Sequence, residues 1–191
     1  PTGKVLIYSD FRESSSGGVL FISKLLTIEY LNFLSFDDFL EDRKYQTQIT
    51  RIKTSQTEKG YYNTEAKEEI IKLFSEFILT KSEEEQIDYK HRVFYIWKTS
   101  GTKGNDHNYI AHIIFNSEQN KNGELIRIIF ITKSGSEGIS FKAIRQVHII
   151  EPFWQQTRTK QVIGRAVRYK SHIDLDSADR NVQVYEYLSK F

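Results

Sequence analysis

The sequence has no cysteine and no methionine, and only 2 prolines among 191 residues. Without cysteine, a disulfide framework and a thiolate metal site are both excluded. The 5 histidines are scattered and show no ligand spacing, so no metal site is expected in this chain. No apolar run approaches the roughly 18 residues of a membrane helix, and no secretory leader pattern is present. A membrane partner is therefore not expected. Strong charge of one sign is also missing: the formal net charge is +2, which permits an anionic partner without demanding one. Internal repeats and low-complexity tracts are absent. The chain starts on Pro1 and enters a strand pattern almost at once, which reads as a piece excised from a longer protein.

What is present suits one folded domain with a sizeable core: 39% hydrophobic, 14% aromatic and 27% charged residues. Residues 4–9 (KVLIYS) form a short apolar run typical of a buried strand. A polar, glycine-bearing turn follows over 10–18. Residues 19–31 repeat apolar side chains at spacings of three and four, which predicts a helix. A second strand is expected at 33–36. Strand, helix, strand in this order predicts a parallel α/β layer.

Residues 37–92 are polar, lack sustained alternation and are the least legible part of the chain, open to a reading as surface decoration or as a functional element. Within it, 45–63 reads as a loop and 64–79 as an amphipathic helix. Thr64 is its expected N-cap, and Ala66, Ile70, Leu73, Phe74 and Phe77 form its stripe. Strands are expected at 93–97, 125–131, 147–150 and, by strict alternation, 181–187. Residues 99–108 read as a loop. Its Gly101 and Gly104 are not followed by the lysine and hydroxyl of a phosphate-binding P-loop. Residues 109–115 fit a strand or a helix equally well, and 116–123 is a turn. The expected core has about four or five strands with helices between them.

Two constellations carry chemistry. The first is 161–168 (QVIGRAVR), within a helix predicted over 155–169. On a helix, Gln161, Gly164, Arg165 and Arg168 share one face, and Val162, Ile163, Ala166 and Val167 share the other. Residues 158–170 hold 5 Lys or Arg and no acid. A guanidinium stays charged and presents a rigid donor fork, which suits a transferring phosphoryl group. The plain alternative is a pair of surface salt bridges. The second is the loop 132–140 (TKSGSEGIS), which follows a buried strand, where open α/β sheets bind ligands. Its Thr132, Ser134, Ser136 and Ser140 hydroxyls and flexible backbone can donate to phosphate oxygens. Glu137 suits orienting a backbone or pairing with an arginine. An ordinary turn is the alternative. Trp154 can stack on a base or cap the core, and His148, inside a strand pattern, reads as structural.

Taken together, TKSGSEGISF, the strand to EPFW, and QVIGRAVRYKSH resemble motifs V and VI of superfamily 2 helicases. Within that superfamily they are most similar to the nucleoside triphosphatase and early-transcription helicase-like group of poxviruses, asfarviruses and other large DNA viruses. KVLIYSDF resembles motif IV, and the pair Phe115 and Asn116 before the NKNG turn also matches the group. The likeness spans 4–34 and 92–172.

The resemblance implies an α/β, RecA-like three-layer domain, with a mostly parallel central sheet flanked by helices and a partly helical insertion at 37–92. It would be the second RecA-like domain of a two-domain nucleic-acid motor. ATP and Mg2+ would be held mainly by the N-terminal RecA-like domain. Gln161 and Arg165 would lie near the γ-phosphate, and Arg168 would be the arginine finger. Gly164, Glu137 and Gly138 would belong to the nucleotide side. Ser9, Arg12, Thr132, Lys133 and Ser134 would meet a DNA or RNA backbone. Residues 108–115 would be helical. The group also implies a role with viral transcription machinery, in virion and host cytoplasm. No GxxxxGK[ST] occurs in the chain, so the domain alone is expected to be inactive. The alternative is a non-catalytic nucleic-acid-binding or docking module of the same fold.

Overall fold

The computed structural model describes residues 3–12, 18–28, 31–55, 57–58, 61–98, 102–133, 139–151 and 156–188. In chain order, β1 (Lys4–Tyr8), α1 (Val19–Leu26) and β2 (Leu34–Ser35) lead into α2 (Phe36–Glu41) and α3 (Arg43–Ser55). The short hairpin β3 (Thr57–Glu58) and β4 (Tyr61–Tyr62) precedes α4 (Thr64–Glu85). Then come β5 (Val93–Ile96), α5 (Thr102–Phe115), β6 (Ile128–Ile131), β7 (Ile144–Ile149), α6 (Gln156–Ala166) and β8 (Gln183–Glu186). The main sheet has 6 strands in the order β2-β5-β6-β1-β7-β8, and every neighbouring pair is parallel.

This is the expected α/β architecture: the 6 strands of the main sheet fall on the strand positions expected from the sequence, and none is antiparallel. The apolar runs alternate between two helix layers, as a sheet buried on both faces requires. Leu6, Tyr8, Val93, Tyr95, Trp97, Ile129 and Ile131 join the large core beneath α2–α6. Val5, Ile7, Phe94, Ile96, Ile128 and Phe130 face the other way, onto Val19, Ile22 and Leu26 of α1. The chain moves one way along the sheet from β1 to β2 and the opposite way afterwards. Right-handed crossovers therefore put α1 alone on its face. The outer side of α1 leaves Phe21 and Leu25 exposed. Among the described residues no helix is long and apolar enough to cross a membrane.

Several local expectations are corrected. The segment read as a loop at 45–63 contains α3, whose Tyr45, Ile49 and Ile52 form a narrow buried stripe on an otherwise polar helix. Asn63, not Thr64, caps α4: its Oδ1 accepts from the Ala66 N–H at 2.8 Å, and the helix runs on to Glu85. The second strand is only 2 residues long, because Phe36 turns inward to start α2 and Ser35 caps it. The stretch 99–108 is not a loop throughout, since α5 starts at Thr102. Residues 109–115 are helical, as the resemblance implied. The first helix stops at Leu26, short of 31. The last helix stops at Ala166, so Arg168 stands beyond it, and Val167 is exposed rather than packed.

Candidate functional site

All six parallel strands end at one edge. Ser9, just past β1, is fully buried, and its hydroxyl donates to Glu151 Oε2 at 2.6 Å, joining the ends of β1 and β7. Asp10 accepts Tyr8 Oη, and it accepts Arg158 Nη1 at 3.0 and 3.2 Å. Burial pushes the Tyr8 phenol well above its ordinary value, and the hydrogen bond to Asp10 adds to this. The Asp10–Arg158 pair anchors the first turn of α6 at this edge. Arg12 is exposed, and its carbonyl accepts the Leu20 N–H of α1 at 3.0 Å. That approach requires Gly18: its φ is +97°, and a Cβ there would come within 2.9 Å of the Phe11 carbonyl oxygen. Thr132 is buried at the end of β6, and Lys133 beside it is exposed. Ser134, Glu137, Gly138 and Trp154 lie outside the described residues.

From Asp10, α6 returns across the sheet with Val162 and Ala166 buried. Its far end meets residues 139–143, just before β7. There the Ala143 N–H donates to the Ser171 carbonyl at 2.8 Å. Gln161 is exposed, and Gly164 and Arg165 are half-buried. Arg165 Nη1 donates to the Ile139 carbonyl at 3.4 Å, and the Phe141 N–H donates to the Arg165 carbonyl at 3.2 Å. Arg165 Nε is buried without a hydrogen-bond partner. Arg168 is exposed. Its Nε donates to the Gly164 carbonyl at 3.3 Å, and its Nη1 donates to Ser140 Oγ.

Neither Arg165 nor Arg168 is paired with a carboxylate among the described residues. A hollow of about 270 Å³ beside Arg168 is lined by Lys170, Ser171, His172, Ile173 and Arg180, with no acid. Arg12 and Lys133 lie at the strand-end edge, and Arg165 and Arg168 lie at the far end of α6.

Among the described residues, no three His, Asp or Glu side chains converge as a metal cage. His112 of α5 and Asn116, just past its end, also reach Ser140. Residue spacing gives no sign of these two contacts, because their partners are backbone groups. Only the likeness of Phe115 and Asn116 to the viral group pointed to that helix end.

A family model described as the helicase conserved C-terminal domain matches residues 44–170. A protein of Acanthamoeba polyphaga mimivirus named as an ATP-dependent RNA helicase is 39% identical over 98 residues, 51% of this chain and 17% of that protein. A termination factor NPH-I homolog of African swine fever virus is 41% identical over 76 residues, 40% of this chain and 11% of that protein. Nucleoside triphosphatase I of Heliothis armigera entomopoxvirus is 36% identical over 75 residues, 39% of this chain and 12% of that protein. The chain therefore spans less than a fifth of the length of these relatives.

Proposed function

Because the chain belongs to the helicase conserved C-terminal domain family, we propose that it is the C-terminal motor domain of a nucleic-acid-dependent ATPase. In this reading Arg168 is the arginine finger of an ATP site shared with an N-terminal RecA-like domain. The observation that carries the reading is the setting of Arg168: two neutral oxygens hold one edge of its guanidinium, and no carboxylate among the described residues pairs with it. A guanidinium held this way keeps its remaining donors for an anion that arrives from outside the domain. Charge stabilisation by such a preorganised donor acts where charge develops in phosphoryl transfer. Gln161 and Arg165 flank it on α6, with Gly164 leaving the backbone bare. The P-loop and the Mg2+ ligands belong to the N-terminal domain, since this chain supplies neither.

The strand-end edge is the nucleic-acid side, with Arg12, Lys133 and Thr132 toward the DNA or RNA backbone. Ser9 acts there indirectly, by fixing the turn through Glu151. In the same reading Ser134 meets the nucleic-acid backbone, and Glu137 and Gly138 belong to the nucleotide side. Residues 37–92 are an insertion whose helices α2–α4 thicken one layer of the domain. The names of the relatives support ATP as the nucleotide; a place in viral transcription, in virion and host cytoplasm, belongs to the same proposal.

The test is an ATPase assay on the protein carrying both RecA-like domains, with single-stranded DNA, duplex DNA and RNA as activators. Arg168→Ala should lower kcat by on the order of 10³-fold or more, with nucleotide binding much less affected. The 191-residue chain alone should not turn over ATP. Equal turnover by wild type and Arg168→Ala would sink the assignment.

A further inference from the structure

Residues 139–142 are gripped from two sides. On one side is α6, through the two contacts between Arg165 and the backbone of Ile139 and Phe141. On the other is the last turn of α5. His112 Nε2 lies 3.0 Å from the Ser140 carbonyl oxygen, and Asn116 Nδ2 donates to that same oxygen at 3.0 Å. Burial holds His112 below the ordinary imidazole value, so the ring is neutral, and its Nε2 faces both the Ser140 carbonyl oxygen and Asn116 Nδ2, which lies 2.9 Å away. Asn116 Oδ1 accepts the Lys142 N–H at 2.8 Å. One side-chain amide thus engages the backbone on both sides of Phe141. The Phe141 ring is buried against Trp97, Phe115 and His112, with centroid separations of 5.7, 5.5 and 6.4 Å. The Ser140 hydroxyl receives Arg168 Nη1.

Arg168 is exposed and lies outside the helix. Holding its long side chain in one rotamer opposes conformational entropy unless a fixed partner meets it. We propose that Asn116 and His112 are positioning residues for Arg168, acting through Ser140. By fixing the Ser140 backbone they place its hydroxyl where it presets the guanidinium, so that α5 sets the aim of an arginine carried after α6. The proposal rests on the reading of Arg168 as the arginine finger.

A double-mutant cycle in the protein carrying both RecA-like domains tests it, with kcat and KM for ATP measured at saturating nucleic acid. Asn116→Ala should lower kcat by roughly tenfold to a hundredfold, the cost of aiming a catalytic group about 1 Å off, and should change KM by less than about twofold. In an Arg168→Ala background the same substitution should change kcat by less than about twofold. An equal factor in both backgrounds overturns the proposal and leaves the arginine-finger reading standing. If Arg168→Ala alone leaves kcat unchanged, that reading falls and the proposal falls with it. Should Asn116→Ala fail to give a cooperative melt, Ser140→Ala removes only the hydroxyl and enters the same cycle with the same expectations. His112→Gln keeps a polar group at the Nε2 position and should retain near wild-type kcat, whereas His112→Leu should not. Equal losses from these two overturn the part assigned to His112.

Discussion

Gly164 offers a perturbation in which stability and activity should move in opposite directions. It lies in the last turn of α6, and a Cβ built on it meets nothing within 4 Å. An alanine there enters without strain and shortens no contact. Replacing a helical glycine by alanine should stabilise the fold by about 0.5–1 kcal/mol, because the unfolded chain loses conformational freedom. For a domain of this size each kcal/mol is worth about 2–4 °C, so Gly164→Ala should melt about 1–4 °C higher. The fold itself therefore gives no reason for glycine at this position. The same backbone lies between Gln161 and Arg168, and its carbonyl accepts Arg168 Nε at 3.3 Å. If a nucleotide or the neighbouring RecA-like domain approaches this bare stretch closely, the added methyl stands in its way, and kcat/KM for ATP should fall. Thermal unfolding of the chain, paired with ATPase assays of the two-domain protein, checks both halves. A lower melting temperature would show that the space beside Gly164 is not open. A higher melting temperature with unchanged kcat/KM would refute the idea that anything docks there.

Three further perturbations probe the frame behind the site. Lys4 is buried, donates Nζ to the Phe115 carbonyl at 2.7 Å and lies over the Phe115 ring; burial lowers it from the ordinary lysine value of 10.5 to about 7. The folded chain then binds fewer protons than the unfolded chain between those values. Wild-type stability should rise with pH across that window, by at most about 1.4 kcal/mol per unit, and the penalty is complete below it. Urea titrations at pH 7, 8 and 9 should show this rise in wild type and lose it in Lys4→Met; equal slopes would contradict a strained buried ammonium. Asn120 is fully buried and uses its whole amide, donating to the Phe115 and Ile126 carbonyls and accepting from the Leu125 and Ile126 N–H groups. Asn120→Ala strands several of these groups, and a loss of about 3 kcal/mol or more is expected in equilibrium unfolding. Phe74 packs its ring 4.8 Å from Phe36 and 5.0 Å from Phe39, so Phe74→Ala should cost about 3–5 kcal/mol by the same measurement.

The strands of this fold are legible because a parallel sheet buried on both faces needs unbroken apolar runs, and KVLIY, VFYI and IIFI are such runs. The region before β5 is not legible in the same way. Helix α3 carries a stripe of only Tyr45, Ile49 and Ile52, so polarity dominates any window drawn over it. Glycine misleads at 99–108, since Gly104 sits near the start of α5, where helical entry tolerates it. The arginine spacing identified the cationic end of α6, but extending the helix through Arg168 was wrong: the backbone leaves the helix after Ala166, and the Arg168 N–H turns to Ser171 Oγ at 3.2 Å. The hold of Asn116 and His112 on Ser140 has no periodicity to detect. It joins side chains to backbone atoms across 24 and 28 residues, and only the folded chain brings them together.

β1 has a consequence for how this domain is made and handled. It lies between β6 and β7, pairing Val5 with Ile128 on one side and Leu6 with Val147 on the other, yet the family match begins only at residue 44. A nascent chain must therefore carry its central strand unpaired until more than a hundred further residues have emerged, and then insert it between two partners, which favours slow folding and chaperone dependence. A piece trimmed to the matched residues would have no strand for that slot. The facing edges of β6 and β7 would be left as open templates, ready to recruit a strand from another molecule and to precipitate.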